Sequence, residues 1–495
     1  MEQEILTKKK EIIHFLIEKN VLVEEKFLEK LDDTSKLNSI YFQIKNQRIH
    51  PENLSEIFDI KIEDENKNKD ELREEDVKVL FSYEEKDFKK REVGNFVSYF
   101  NSRYKSIERM LRQRQELEGV TTISRVIGKK DRDSVSVIGM VSGKRISKTG
   151  SILLTVEDIT GEITVIINKN RQDLAEIAKS IVYDEIIGVM GTNGGGVIFA
   201  NNIIFPGVPS NKELKKSNEE SYAVFLSDLH IGSSKFLTDE FSRFLQWIRG
   251  ETENENHRSI AKKVKYVFVV GDLVDGVGIY PRQESELEIK DIYDQYSECA
   301  RLLEKIPSHI KLIMCPGNHD AVRISEPQPA FMREFSEPIF NLKNALLVSN
   351  PSAVTIGIKN EFPGFDVLMY HGYSFDYYVA NVDSIRSQGG YDRADLIMKF
   401  LLQKRHLAPA HTSTLYIPDS AYDPLVIEKI PDFFATGHIH KSSVSNYKNI
   451  TLLSGSCFQA KTAFQEKVGH HPEPSRVPVI NLQTREIRIL KFGKD

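Results

Sequence analysis

The sequence predicts a mixed α/β chain: a helical beginning, a small β-barrel and a large layered α/β domain. Three observations predict it. Apolar residues recur at three-to-four spacing over 1–60 and again over 84–118, the helical period. Short alternating strands with glycine turns occupy 119–206. From 221 to 495, short apolar runs ending in polar residues alternate with helical stretches, the pattern of a sheet covered by helices.

The elements follow in order. In the N-terminal helical region, 1–60, Ile12, Ile13, Phe15 and Leu16 and then Val21, Val23, Phe27, Leu28 and Leu31 carry the apolar stripe. A charged linker is expected over 61–83, because 12 of the 16 residues from Lys61 to Asp76 are charged and none is aromatic. The helical segment 84–118 places Phe88, Val93, Phe96, Phe100, Tyr104 and Met110 on one face, beside Arg103, Lys105, Arg109, Arg112 and Arg114. A solvated face is the plainer reading of those cations, and a patch that tracks phosphates is the sharper one. Over 119–206, strands are expected at 134–142, 152–156, 162–167, 186–192 and 197–204, with a helix at 173–180 before the last two. Three strands, a helix and two strands is the order of a five-stranded OB-fold barrel. The polar stretch 207–220 is a linker, and 221–495 is the α/β domain.

Composition narrows the function. With 40% hydrophobic and 28% charged residues, the chain is neither disordered throughout nor a disulfide scaffold. Lys+Arg number 67 and Asp+Glu 72, a net charge of −5. Contact with nucleic acid must then run through a local basic patch or through metal ions. The three cysteines, Cys299, Cys315 and Cys457, are odd in number and lack Cys-x-x-Cys spacing. That points to a reducing, cytoplasmic location. The start, MEQEILTKKKEIIHF, has no cleavable apolar leader, and no segment approaches a membrane span, so no membrane partner is expected.

The chemistry sits at strand ends in the last domain. AVFLS runs into Asp228-Leu-His230, YVFVV into Gly271-Asp272-Leu-Val-Asp275, and KLIMC into Pro316-Gly317-Asn318-His319-Asp320. DVLMY runs into His371-Gly372, and FFAT into Gly437-His438-Ile-His440. Sites in α/β sheets form where strands end. Asp, His and Asn together suit manganese, iron, zinc or magnesium, not soft ions. Residues two apart, as in Asp-x-His and His-x-His, reach the same side. Asp272 is suited to bridge two ions, and a pair about 3.5–4 Å apart clamps a phosphoryl group and lowers the pKa of water. Each motif alone is weak, since a lone Gly-Asn-His-Asp is usually a turn. All five at strand ends make a site.

This order of motifs resembles the calcineurin-like metallophosphoesterase superfamily, over roughly Phe225 to Ser456. The resemblance implies a double β-sandwich flanked by helices. It also implies a first metal held by Asp228, His230, Asp272 and His440, and a second held by Asp272, Asn318, His371 and His438. His319 is similar to the family's general acid or transition-state stabiliser. Asp275 matches the position that orients that histidine in the phosphatases, where the repair nucleases have a histidine.

Helices, an OB barrel and then this domain form the layout of the small subunits of replicative DNA polymerases. In the eukaryotic members the ligands are lost, whereas here every position is filled. The chain therefore looks like a member of the archaeal family D small subunits, also on the stretches GNHDAVRISEPQP, YHGYSFD, KRHLAPAH and SGSCFQAKTAFQ. These stretches make Arg323, Gln328, Ser374, Asp376, Arg405 and His406 candidates near DNA or the site. HTSTLYIPDS departs by lacking the expected glycine, and His406 and His411 read equally as site neighbours or as solvent-facing loop histidines. The resemblance implies a two-metal 3′→5′ exonuclease, with manganese the first expectation. Its partners would be the large catalytic polymerase subunit, single-stranded DNA and primer 3′ ends, and its place the cytoplasm at the nucleoid. The alternatives are a catalytically silent polymerase scaffold and a stand-alone metal-dependent phosphodiesterase.

Overall fold

The stretch expected to be a linker over 61–83 ends in a strand, β1 (Val77–Ser82), which pairs antiparallel with Ser352–Ile356. The acidic run before it hid VKVLFS, a six-residue strand with only one charge. The computed structural model describes residues 76–493 except 85–89, 91, 130, 420 and 468, together with residues 8, 9, 12, 37 and 41. The helical region expected over 1–60 and the linker residues 61–75 otherwise lie outside the described residues. The chain divides into one unit of Met1–Arg73 and another of Glu74–Asp495. Five positions of the first are described, all helical, with Ile12 and Leu37 fully buried.

In the second unit, α1 (Val93–Leu111) leads into the barrel. The barrel consists of β2 (Ser134–Ile146), β3 (Ile152–Asp158), β4 (Gly161–Ile167), α2 (Gln172–Lys179), β5 (Ile186–Asn193) and β6 (Val197–Ile204). It closes in the order β2-β3-β4-β6-β5, the expected OB topology. The alternation that predicts the strands also fills the interior: Val135, Val137, Leu154, Val156, Val165 and Val189 are buried in one cluster. The Asp158 carboxylate accepts from the Thr160 amide at 2.7 Å and fixes the β3–β4 turn.

The α/β domain has two six-stranded sheets. One is built from β7 (Tyr222–Leu226), β8 (Val264–Val270), β9 (Lys311–Cys315) and β10 (Ala345–Leu347), completed by β16 and β17 below. The other uses β11 (Ser352–Ile356), β12 (Phe365–Met369), β13 (Phe433–Thr436), β14 (Ser443–Tyr447) and β15 (Ile450–Ser454), with β1 at its edge. β16 (Arg476–Asn481) and β17 (Ile487–Lys491) return to the first sheet, whose order is β10-β9-β8-β7-β16-β17. Along β7, Ala223 and Phe225 join the core between the sheets, while Tyr222, Val224 and Leu226 join the core under the helices. The strands are apolar on both faces because both faces are covered. β7, β8 and β9 pair in parallel, as do β12 and β13. Their C-terminal ends therefore gather at one edge of each sheet.

Helix α1 is two-sided. Tyr104, Ile107 and Leu111 pack with Ile138, Ile186 and Ile204 of the barrel. Tyr99 and Arg103 are buried against Asp423. That carboxylate accepts from Arg103 Nε at 2.6 Å, Tyr99 Oη at 2.7 Å and His406 Nε2 at 2.8 Å. The Ala408 amide donates to His406 Nδ1, so the proton sits on Nε2 and the ring is neutral. Burial, aided by the Arg103 charge, pushes His406 down to about 4. The folded value lies below the ordinary one of about 6.5, so this stabilisation is complete above about pH 6.5 and is lost as pH falls toward about 4.

Calorimetric melts should accordingly show the thermal midpoint falling as pH drops from 7 to 4.5, with part of the slope removed in His406→Gln. Asp423→Asn, which strands the Arg103 charge, should cost about 3–5 kcal/mol at pH 7. A melt of Asp423→Asn indistinguishable from wild type would refute the clamp.

Candidate metal centre

Seven side chains with metal-ligating atoms, and His319, arrive from the five strand ends. β7 delivers Asp228 and His230, β8 delivers Asp272, β9 delivers Asn318 and His319, β12 delivers His371, and β13 delivers His438 and His440. Asp228, His230, Asp272, His438 and His440 all have positive φ, between 52° and 70°. The left-handed region turns the chain sharply off a strand, and non-glycine residues occupy it only where surroundings over-determine them. Here the surroundings are cross-strand bonds. The Asp228 amide donates to the Gly271 carbonyl at 3.0 Å, His230 N to Asp272 O at 3.1 Å, and Gly437 N to His371 O at 2.9 Å. Gly317 and Gly271 are among the glycines that are sterically required here. A Cβ on Gly317 would lie 2.2 Å from Asp272 Oδ1, and one on Gly271 would lie 2.2 Å from His371 Nδ1.

The donors form overlapping groups. Ligand atoms of Asp228, His230 and His440 lie within 4.8 Å of one another, as do those of Asp228, Asp272 and His371, and those of His230, Asp272 and His319. His230 Nε2 and His440 Nε2 are 3.0 Å apart, and His440 Nε2 is 3.3 Å from Asp228 Oδ1. Asp272 Oδ2 lies between the two sides, 3.7 Å from His230 Nε2 and 3.3 Å from His371 Nε2. Asn318 Oδ1 faces His371 Nε2 and His438 Nδ1, each at 3.0 Å.

Three rings are oriented from outside. His371 Nδ1 meets the Val270 carbonyl at 2.9 Å, His230 Nδ1 meets Asp275 Oδ1 at 3.1 Å, and His438 Nε2 meets Asp376 Oδ2 at 3.1 Å. A ring nitrogen against an oxygen carries a proton, which leaves the opposite nitrogen to ligate, as second-shell partners of metal-binding histidines do. The carboxylates and imidazoles also compensate one another's charge. Burial would raise Asp272, yet His371 and His319 hold it well below the usual carboxylate value. Burial would lower His371, yet Asp272 lifts it to about 10. Two buried carboxylates among imidazoles are a cation site in chemical type, and borderline divalent ions fit this donor set.

The remaining expected residues are placed as follows. Asp275 acts through two atoms: its carboxylate orients His230, and its carbonyl accepts from His319 Nδ1 at 2.8 Å. No hydrogen bond joins its carboxylate to His319 among the described residues, so the orienting group is the backbone. Gln328 donates to the Gly317 carbonyl and accepts from Asn350, which in turn receives the His371 amide. Ser374 is buried between Tyr370 and Leu407, and Asp376 holds His438. Arg323 donates to the carbonyls of Ser325 and Pro327. Arg405 and His406 are not brought to the metal donors. Arg405 is buried on the carbonyls of Ile427, Glu428 and Gly207, and His406 belongs to the α1 clamp. His411 is exposed and bonds the Tyr416 hydroxyl. Sequence reasoning missed Gln283 and Gln459, both on the Asp275 carboxylate, and Asp320, which burial pushes up to about 7. Gln459 and Asp320 stand in the quoted stretches; Gln283 carries no mark.

The chain is similar to proteins of known family. The calcineurin-like phosphoesterase family pattern matches residues 223–442. The chain is 39% identical to the DNA polymerase II small subunit of Methanothermobacter thermautotrophicus, over 98% of its own length and 100% of that relative's. It is 39% identical to the one from Archaeoglobus fulgidus, over 81% of itself and 78% of the relative. For Pyrococcus furiosus the identity is 36%, over 81% of the chain and 64% of the relative. A solved archaeal phosphodiesterase matches at 13% identity over 54% of this chain and 98% of its own, with a TM-score of 0.25, too slight a likeness to bear on function.

Manganese at a hundredfold excess over its Kd should stabilise the chelator-treated chain by about 2.7 kcal/mol, read as a rise in thermal midpoint. The affinity should weaken as pH falls, because protons compete for the imidazoles. Asp272→Asn should lose most of the rise, and an equal rise in both proteins would reject these ligands.

Proposed function

Because the chain belongs to the family of archaeal DNA polymerase II small subunits, we propose that it is a two-metal 3′→5′ exonuclease that removes mispaired nucleotides. It does so as the assembly partner of the large, polymerising subunit. The observation that carries this reading is the donor set itself, with every carboxylate, imidazole and amide converging at one end of the sandwich. A silent scaffold has no need of this strained, buried arrangement.

In this reading Asp228, His230, Asp272 and His440 hold one divalent ion, and Asp272, Asn318, His371 and His438 the other, with manganese the first choice. Ions bound there would neutralise phosphate charge and lower the pKa of water at the site. The rest is the work of the chain. Water adds to the phosphorus, the bond to the 3′ oxygen breaks, and a nucleoside 5′-monophosphate leaves. His319 gives a proton to the departing 3′ oxygen. The Asp275 carbonyl fixes its Nδ1, so the proton moves at Nε2. Burial lowers its pKa, which makes the protonated form a readier donor. The edge-on His230 ring, 4.6 Å away, keeps the imidazole beside the donor cluster.

A 5′-labelled single strand, incubated with the purified chain and manganese, should shorten from its 3′ end. Chelator and Asp272→Asn should abolish the ladder. His319→Ala should keep manganese binding and lose about 10²–10⁴-fold in rate. No cleavage by the wild-type chain, alone or with the large subunit, would leave the scaffold reading in its place.

A further inference from the structure

A cleft of about 660 Å³ opens beside the metal centre, within the size range of small-molecule sites. Its lining includes Phe96 of α1, Tyr373, Asp376 and Tyr377 from the segment after His371, and His411 and Tyr416 from the loop that lacks the expected glycine. Two of its lining residues reach the donor His438. The Tyr373 ring centroid lies 5.9 Å from that of His438, and the Asp376 carboxylate holds the same imidazole. Phe96, Tyr373, Tyr377 and Tyr416 are only partly covered. Behind them Tyr99 stacks on Tyr416 at 5.0 Å and 16°, and is itself pinned by Asp423. The clamp therefore holds Tyr416 and, through its edge contact at 6.2 Å, Phe96.

Resting on the exonuclease reading, we propose that this cleft receives the base of the unpaired 3′-terminal nucleotide. In 3′→5′ cleavage the terminal nucleotide carries the scissile phosphate on its own 5′ side. Its base therefore lies beyond the phosphate, away from the rest of the strand, and a cleft bordering the metal centre is where it comes to rest. The lining chemistry selects a base over a second phosphate. Aromatic faces stack on any base without reading its identity, which a remover of arbitrary mismatches needs. The Asp376 carboxylate at the metal end repels phosphate. Selection for mispaired ends follows, since an unpaired base leaves its stack more cheaply than a paired one. Phe96 and Tyr373 are positioning residues here; neither touches the reacting atoms.

The test uses the full chain with manganese and two 5′-labelled single strands, identical except that one ends in a 3′-terminal abasic nucleotide. Wild type should remove the base-bearing terminus with kcat/KM at least tenfold above the abasic one. In Phe96→Leu and Tyr373→Leu that ratio should fall toward one, through a rise in KM with kcat less affected. Equal wild-type rates on the two strands would overturn the cleft assignment and leave the exonuclease standing. Failure of wild type to cut either strand would remove both. Variants that keep the full wild-type ratio would also overturn the assignment. Thermal midpoints and manganese stoichiometry report whether each variant is folded.

Discussion

Asp228 and Asp272 are both buried, with ligand atoms within 4.8 Å of each other and of His371, and the rest of the domain is arranged around that constraint. Burial alone drives carboxylates toward the neutral form. Here both stay below the usual carboxylate range against burial, Asp228 chiefly through His440 and Asp272 chiefly through His371. The backbone also donates: the His438 amide reaches Asp228 at 3.0 Å, and the His319 amide reaches Asp272 Oδ1 at 2.8 Å. Each strand end thus supports a ligand from another. The left-handed turns at five donors cost about 1–3 kcal/mol each, and only a frame that fixes all the strand ends together can sustain them. The parallel pairing of β7, β8 and β9, and of β12 and β13, is that frame.

The segment before the barrel belongs energetically to the domain after it. Arg103 reads in the sequence as one cation of a stripe, yet it is fully buried on Asp423 and on the Pro409 carbonyl. The barrel is tied to the same domain by a second buried pair, Glu185 to Lys404 at 2.6 Å. Buried pairs contribute little net stability against well-packed apolar residues, because desolvation offsets attraction, but removing one partner is severe. Their effect here is on placement: one helix and one barrel have a single seat each. α1 then carries Phe96 to a cleft beside donors that lie more than 130 residues later in the chain.

What was legible in the sequence follows from how local each signal is. The barrel strands showed because one face of each is buried and the other is not. The metal donors showed because each sits at the end of a short apolar run, where a strand must stop. β1 did not show, because its pairing with β11 is a long-range fact and its charged neighbours dominate the window. Asp275 showed as a candidate, but the split between its carboxylate on His230 and its carbonyl on His319 is geometry that no residue type encodes. Arg405 and His406 look like site residues because KRHLAPAH resembles a stretch of the family. Their partners, the carbonyls of Ile427 and Glu428 and the Asp423 carboxylate, lie about twenty residues away and become visible only when the loop is folded. The aromatic cleft was invisible for the same reason, being assembled from three distant segments.

On the exonuclease reading, the same pairing pattern bears on how a chain of net charge −5 would meet DNA. A basic stripe on α1 would do it by tracking phosphates, but its arginines are engaged: Arg109 with Glu428, Arg112 with Glu108, and Arg114 with Glu116. Exposed pairs of this kind are weak, typically about 0–1 kcal/mol, so a phosphate can displace them, yet the net field they present is small. On the exonuclease reading, attraction for a strand would be concentrated at ions held by the strand-end donors and on the aromatic rings beside them. On the proposed exonuclease reading, such a surface would hold one nucleotide at an end and not a length of duplex. The proposal then assigns this chain the terminal nucleotide and assigns continuous hold on the template to the polymerising partner.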